Sequence, residues 1–129
     1  NYDAVFFKHD HVDSLYNEAT HLIHLWHSGN KKDTPENIIE HIKKYKDEGF
    51  PSTNGLTENS VFWRKLDNYR LNAVMELWWS EVINGSHRDQ LSLMYCLWKH
   101  NYNNYFLLNT DTEHTHKYKD KYYIRTNHI

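Results

Sequence analysis

Leu77-Trp78-Trp79-Ser80-Glu81-Val82-Ile83-Asn84-Gly85-Ser86-His87-Arg88-Asp89-Gln90-Leu91-Ser92 is the stretch around which the chain is organised. It reads as the end of one helix, a short Asn-Gly-Ser break, and the first turn of another helix carrying Arg88, Asp89 and Gln90. Adjacent helical positions point about 100° apart, so the two tryptophans cannot face a core equally. Trp78 is in phase with Met75 and Val82 and reads as core. Trp79 is left as a half-exposed stacking surface or a packing surface. Bulky indoles beside clustered hydrogen-bonding side chains suit a ligand with both flat apolar faces and hydroxyls, as a sugar has. Ser86 with Asp89 three residues later also has the spacing of a capping box, and an acid there complements the helix dipole. The two readings are compatible, because a capped carboxylate at a cleft is expected to stay ionised and to accept hydroxyl groups. Arg88 is a candidate partner for phosphate, and Gln90 adds a neutral donor and acceptor.

Upstream of this stretch, Asn68 to Ile83 is the longest expected helix, with Leu71, Val74, Met75, Trp78 and Val82 facing inward. Ser60-Val61-Phe62-Trp63-Arg64 before it reads as a strand. Gly49-Phe50-Pro51-Ser52-Thr53-Asn54-Gly55 is a loop by its breakers. Thr34-Pro35-Glu36 has the residues of a helix start: a capping hydroxyl, proline at the first helical position and an acid in the first turn. That helix is expected to turn Ile38, Ile39, Ile42 and Tyr45 inward and Lys43, Lys44 and Lys46 outward, stopping at Gly49. An earlier helix, with Asp13 or Asp10 as the expected cap, repeats Leu15, Ala19, Leu22, Ile23 and Trp26 on one face and ends near Ser28-Gly29-Asn30. Asp3-Ala4-Val5-Phe6-Phe7-Lys8 lacks clean alternation, as in an interior strand buried on both faces.

Downstream, the helix opened by Ser86 is expected to run through Leu91, Leu93, Met94, Leu97 and Trp98. Asn104-Tyr105-Phe106-Leu107-Leu108 reads as a third strand. Residues 110–129 form a polar tail in which Tyr122-Tyr123-Ile124 is a possible edge strand. Strands separated by helices indicate an α/β fold with more helix than strand.

Composition narrows the function. The 129 residues make one domain or part of one, with five Trp, ten Tyr and five Phe carrying much of its core. A formal net charge of −2 gives no case for nucleic acid or an anionic membrane surface. The single cysteine, Cys96, excludes an intrachain disulfide framework and lies on an apolar helical phase without an activating partner. No apolar run approaches the length of a transmembrane helix, so a cytoplasmic chain is expected. Eleven histidines are scattered without a Cys–His or His-Glu-x-x-His spacing. His9-Asp10-His11 and His114-Thr115-His116 are the short pairs, and a His-rich metal-binding protein is the third-ranked reading. Gly55 before a strand allows backbone to approach a ligand closely, or simply makes a turn.

Several segments in order resemble a known family. They are Phe7-Lys8-His9, Leu15-Tyr16-Asn17-Glu18-Ala19, Ile42-Lys43-Lys44-Tyr45, Glu48-Gly49-Phe50-Pro51, Gly55-Leu56-Thr57-Glu58, Val61-Phe62-Trp63-Arg64, Trp78-Trp79-Ser80-Glu81-Val82 and Ser86-His87-Arg88-Asp89-Gln90-Leu91-Ser92. Together, over roughly residues 5 to 100, they resemble the C-terminal half of the glycosyltransferase-like domain of bacterial capsular or surface-polysaccharide proteins and of plant mucilage and cell-wall proteins. The resemblance implies a partial GT-A-like α/β domain, its acceptor side, using a nucleotide-sugar donor, a glycan acceptor and a divalent cation (Mn²⁺ or Mg²⁺). In such folds an Asp-x-Asp motif upstream holds the metal and the donor diphosphate; the nearest approach here is Asp111-Thr112-Glu113. By resemblance Asp89 and Gln90 are catalytic, acting on the transferred sugar. Arg88, Trp79, Glu81, Gly55, Leu56, Glu58 and His9 bind substrate, and His114 or His116 is the candidate metal ligand. A noncatalytic carbohydrate-binding or interaction module is the competing reading.

Overall fold

The computed structural model describes residues 1–9 and 12–108. Among these residues a three-stranded mixed sheet is flanked by helices, an α/β arrangement. The strands are β1 (Ala4–Lys8), β2 (Thr57–Arg64) and β3 (Tyr105–Leu108), in the order β2-β1-β3. β1, central as its unalternating sequence implied, runs antiparallel to β2 and parallel to β3.

One face of the sheet makes the core. Ala4 and Phe6 are wholly buried, and Phe6 lies 5.5 Å from Phe62 and 6.0 Å from Tyr105, centroid to centroid. Val5, paired with both Trp63 and Phe106, points to the other face, where those two rings are exposed. The β1–β2 register slips between Phe6 and Phe7: Phe6 pairs with Phe62 but Phe7 pairs with Glu58. Asn59, Ser60 and Val61 are thus pushed out of the ladder, as in an enlarged bulge.

The helices are α1 (Leu15–His27), α2 (Pro35–Asp47), α3 (Tyr69–Asn84) and α4 (Leu93–Lys99). Thr34 caps α2 as its sequence implies, accepting from Asn37 N–H, and Asn68 caps α3 through Leu71 N–H; each such cap is worth about 1 kcal/mol. The α1 cap is Ser14, which accepts from Asn17 N–H at 3.1 Å; the expected Asp13 instead accepts from the Asn17 side chain. Ile39, expected inside, is 56% exposed, because the buried stripe of α2 is Ile38, His41, Ile42 and Tyr45. The helix expected from Ser86 onward is broken: Asp89–Leu91 form a 3-10 turn and α4 begins only at Leu93.

A second layer of the core is aromatic. Tyr45 and Tyr95 stack with centroids 3.8 Å apart, edged by Phe50 and Trp98. Their hydroxyls reach acids: Tyr45 donates to Glu81 at 2.7 Å and Tyr95 to Glu48 at 2.8 Å. At one edge Asp3 accepts from Asn68, Tyr102 and Asn104, tying the start of β1 to α3 and to the approach of β3. No helix of the described residues is long and apolar enough to cross a membrane.

Candidate functional site

Three segments far apart in sequence meet beyond the end of β1. The His9 N–H donates to Leu56 carbonyl at 2.9 Å, while the ring Nδ1 accepts from Val12 N–H. Gly55, at φ +82°, bridges in parallel to Ser14 at the start of α1. Glu58 accepts from the Ser60 N–H and hydroxyl through one oxygen and faces the Gln90 amide through the other, at 3.5 Å.

The 3-10 turn brings Asp89 and Arg88 into the same cluster. Burial pushes the Asp89 carboxyl above its ordinary value; Arg88, the Asn59 amide and the Gln90 N–H oppose this, and Glu58 adds to it. The sequence reading had this carboxylate capped and ionised, whereas no side-chain cap forms on the turn and the shift runs toward the neutral form. Glu18 of α1, 5% exposed, joins the group, and its carboxyl is also raised, first by burial and then by Glu58, against the attraction of His21 and Arg88. Glu58 and Arg88 thus act on both raised carboxyls, Glu58 with like charge and Arg88 with opposite charge. The Arg88 Nε is buried there without a hydrogen-bond partner among the described residues. Acid raised by burial and a like-charged neighbour is the physical signature of a group that takes up or releases a proton.

The turn is anchored from behind. Trp78 Nε1 donates to the Asp89 carbonyl at 3.0 Å. Ser86 does not form the expected capping box: its hydroxyl donates to Asp33 at 2.6 Å, and His87 N–H donates to the same oxygen. Burial raises the Asp33 carboxyl, but hydrogen bonds from Ser86, Asn37, Thr34 and His87 outweigh it, holding Asp33 below its ordinary value. His41 accepts from Ser86 N–H at 2.9 Å through Nδ1. This leaves the proton of neutral His41 on Nε2, and burial keeps its pKa low. Gly85 is required at this junction by close approach: a Cβ there would overlap His41 Nδ1.

The other expected site residues lie apart from this cluster. Leu56 is wholly buried, so only its backbone faces the loop. Glu81 is 6% exposed and held by Lys44 at 2.9 Å and by Tyr45, a structural setting. Trp79 is 67% exposed and lines a different groove with Arg64, Asn72 and Glu76. His114 and His116 lie outside the described residues, as do the tail and its possible strand. Sequence reading did not single out Glu18, Asn59, Asp33 or His41 as site residues. Glu18 carried a signal, falling three residues after Leu15 and four before Leu22 on the buried stripe of α1. The others depend on contacts with no local signature.

A groove of about 510 Å³ adjoins the cluster at Gly55, lined also by Lys8, Ser14, Asn17, Ser52 and Thr53. Its hydroxyls, amide and ammonium suit a hydroxylated ligand. A groove of about 560 Å³ between α1 and α2, edged by Ile39, Lys43 and Lys46, lies away from the acidic cluster. Among the described residues no three His, Cys, Asp or Glu side chains converge as a metal site. Comparison with known proteins finds no matching family model, curated protein or solved structure.

Proposed function

We propose that this chain carries the acceptor side of a GT-A-like glycosyltransferase, moving a sugar from a nucleotide-sugar donor to a surface polysaccharide or glycan acceptor. The observation that supports the reading best is the meeting of Lys8–His9, Gly55–Glu58 and Arg88–Gln90 at one end of β1. These are the same segments that carry the family resemblance, and nothing about their sequence separation requires them to meet.

Glycosyl transfer forms a bond from an acceptor oxygen to the anomeric carbon, breaks the bond from that carbon to the diphosphate oxygen, and releases the acceptor proton. In this reading Asp89 takes that proton or holds the sugar hydroxyls; its raised pKa makes it a stronger base than an exposed aspartate. Gln90, steadied by Glu58, hydrogen-bonds the donor sugar. The groove beside Gly55 receives the acceptor. The resemblance also implies a divalent cation on the donor diphosphate. Among the described residues no group of three His, Cys, Asp or Glu side chains would hold that cation.

Transfer from UDP-glucose, UDP-galactose, UDP-N-acetylglucosamine and GDP-mannose, with Mn²⁺ present, tests the reading. Turnover that Asp89→Asn removes, with circular dichroism and urea midpoint retained, is the expected result. Wild-type turnover in Asp89→Asn refutes the role. No turnover from a folded chain with any donor favours the second reading, a noncatalytic carbohydrate-binding or interaction module.

A further inference from the structure

The groove along the outer side of α3 has a different character from the acidic cluster. Asn72, Met75, Glu76 and Trp79 recur at helical spacing on one face, opposed by Arg64 at the end of β2 and Leu66 just after it; together they line a groove of about 520 Å³. Trp79 exposes 67% of its surface and Leu66 74%. An indole and a leucine left in water along one groove offer a bound ligand an apolar wall to stack on. Asn72 to Trp79 spans about 10 Å along the helix axis, the reach of roughly two sugar rings.

The polar groups are arranged around the indole. Arg64 Nη1 donates to Asn72 Oδ1 at 2.9 Å, and Asn72 Nδ2 donates to Leu66 carbonyl at 3.0 Å. These bonds fix the guanidinium and the amide in place while most of the five guanidinium N–H donors stay available. The Glu76 carboxylate makes no hydrogen bond or ion pair with any described residue.

The geometry points to a second saccharide site, separate from the Asp89 centre, taking a neutral pyranose oligosaccharide. One ring face of a pyranose is apolar C–H and stacks on an indole, while its rim hydroxyls come in vicinal pairs that planar Arg, Asn and Glu groups bind two at a time. One cation facing one anion favours an uncharged ligand over a nucleotide or a polyanion. A protein partner that dried the groove would strip water from Arg64 and from Glu76, which no described group offsets. The inference does not rest on transfer activity, because it uses none of the residues assigned to the acidic cluster.

The test is titration of the full chain with cellohexaose, maltohexaose, xylohexaose and chitohexaose, following the Trp79 indole N–H by NMR in the wild type and binding heat by isothermal titration in the wild type and every variant. At least one hexaose is expected to shift that signal saturably. Trp79→Ala is expected to weaken binding about tenfold, the scale of a lost aromatic stack, and Glu76→Gln to weaken it less. Trp79→Phe should retain most of the affinity, and Asp89→Asn all of it. Trp79 is exposed, so Trp79→Ala should keep the wild-type urea midpoint. No shift with any hexaose at millimolar concentration overturns the proposal, and so does binding that survives Trp79→Ala. Tighter binding of UDP than of any hexaose at this indole makes it a nucleotide site. Self-association that vanishes in Trp79→Ala makes it an interface between copies; either result overturns the proposal.

Discussion

Gly85→Ala should unseat the turn that carries Arg88, Asp89 and Gln90. An added Cβ overlaps His41 Nδ1 and comes within 2.5 Å of His41 Cε1 and 3.0 Å of the Glu81 carbonyl. His41 is 5% exposed, packs edge-on against Tyr45 with centroids 4.5 Å apart, and accepts the Ser86 N–H, so moving the ring breaks that bond. If the ring shifts, the buried Ser86 N–H loses its acceptor, at about 1–3 kcal/mol. If it stays, the overpacking costs about 1–3 kcal/mol in displaced backbone. Either way the expected loss is about 1–3 kcal/mol, a substantial part of the ~5–15 kcal/mol that holds a domain folded. At this chain length that corresponds to a fall in Tm of roughly 4–11 °C. Urea unfolding of both proteins, with m-values compared, measures it. Adding His41→Ala relieves the clash, so the double variant should be little worse than His41→Ala alone. A loss below about 0.5 kcal/mol in Gly85→Ala would refute the claim that this close approach fixes the turn.

Glu18→Gln tests the sign of a pH dependence. The folded-state pKa of Glu18 is raised, so its contribution to stability is fully present below the unfolded value of 4.5 and is lost as pH rises through the folded value. Relative to wild type, Glu18→Gln should therefore gain stability as pH rises above 4.5 in urea titrations, and a difference that stays flat with pH would count against it. Lys44→Met leaves the Glu81 carboxylate with Tyr45 as its remaining side-chain donor; because Lys44 is half exposed, the expected loss is about 1–2 kcal/mol by urea unfolding, below that for a fully buried pair. Burial pushes the Cys96 thiol well above its ordinary range; it should react with a disulfide reagent far more slowly in the native protein than in urea, and native-state reaction at the unfolded rate would contradict its burial.

The parts of this fold that could be read from sequence are those decided by neighbouring residues. Thr34-Pro35-Glu36 starts a helix because cap, proline and acid act within four residues of one another, and Gly49 ends it at φ +86°. Val5-Phe6-Phe7 reads as an interior strand from its unbroken apolar run. Asp13 was the expected cap of α1, but Ser14 one residue later takes the role, because a serine directly before Leu15 also reaches the Asn17 N–H. The turn at Ser86 departs from the expected capping box: its hydroxyl donates to Asp33, 53 residues away, and its oxygen accepts from the Arg88 N–H rather than from that of Asp89, so the residues that follow form a 3-10 turn. The site followed the same rule. Asp89 and Gln90 stand out as a motif, but the upward shift of Asp89 depends on burial and on Glu58 arriving from another element. The slip at Phe6/Phe7, which moves Asn59 toward that acid, has no signature in the alternation of β2.

The central position of β1 also sets an order of events during synthesis. Its parallel partner pairs Ala4 with Tyr105, about a hundred residues later. At ribosomal speeds of about 5–20 residues per second, β1 waits roughly 5–20 s for that edge to be made. Closing a loop of that length also costs roughly 4 kcal/mol in chain entropy. Once β2 is made its antiparallel pairing covers one edge of β1, and the other edge stays open to recruit another nascent chain. The nascent protein should therefore depend on a chaperone that shields apolar strands until Tyr105–Leu108 emerges from the exit tunnel.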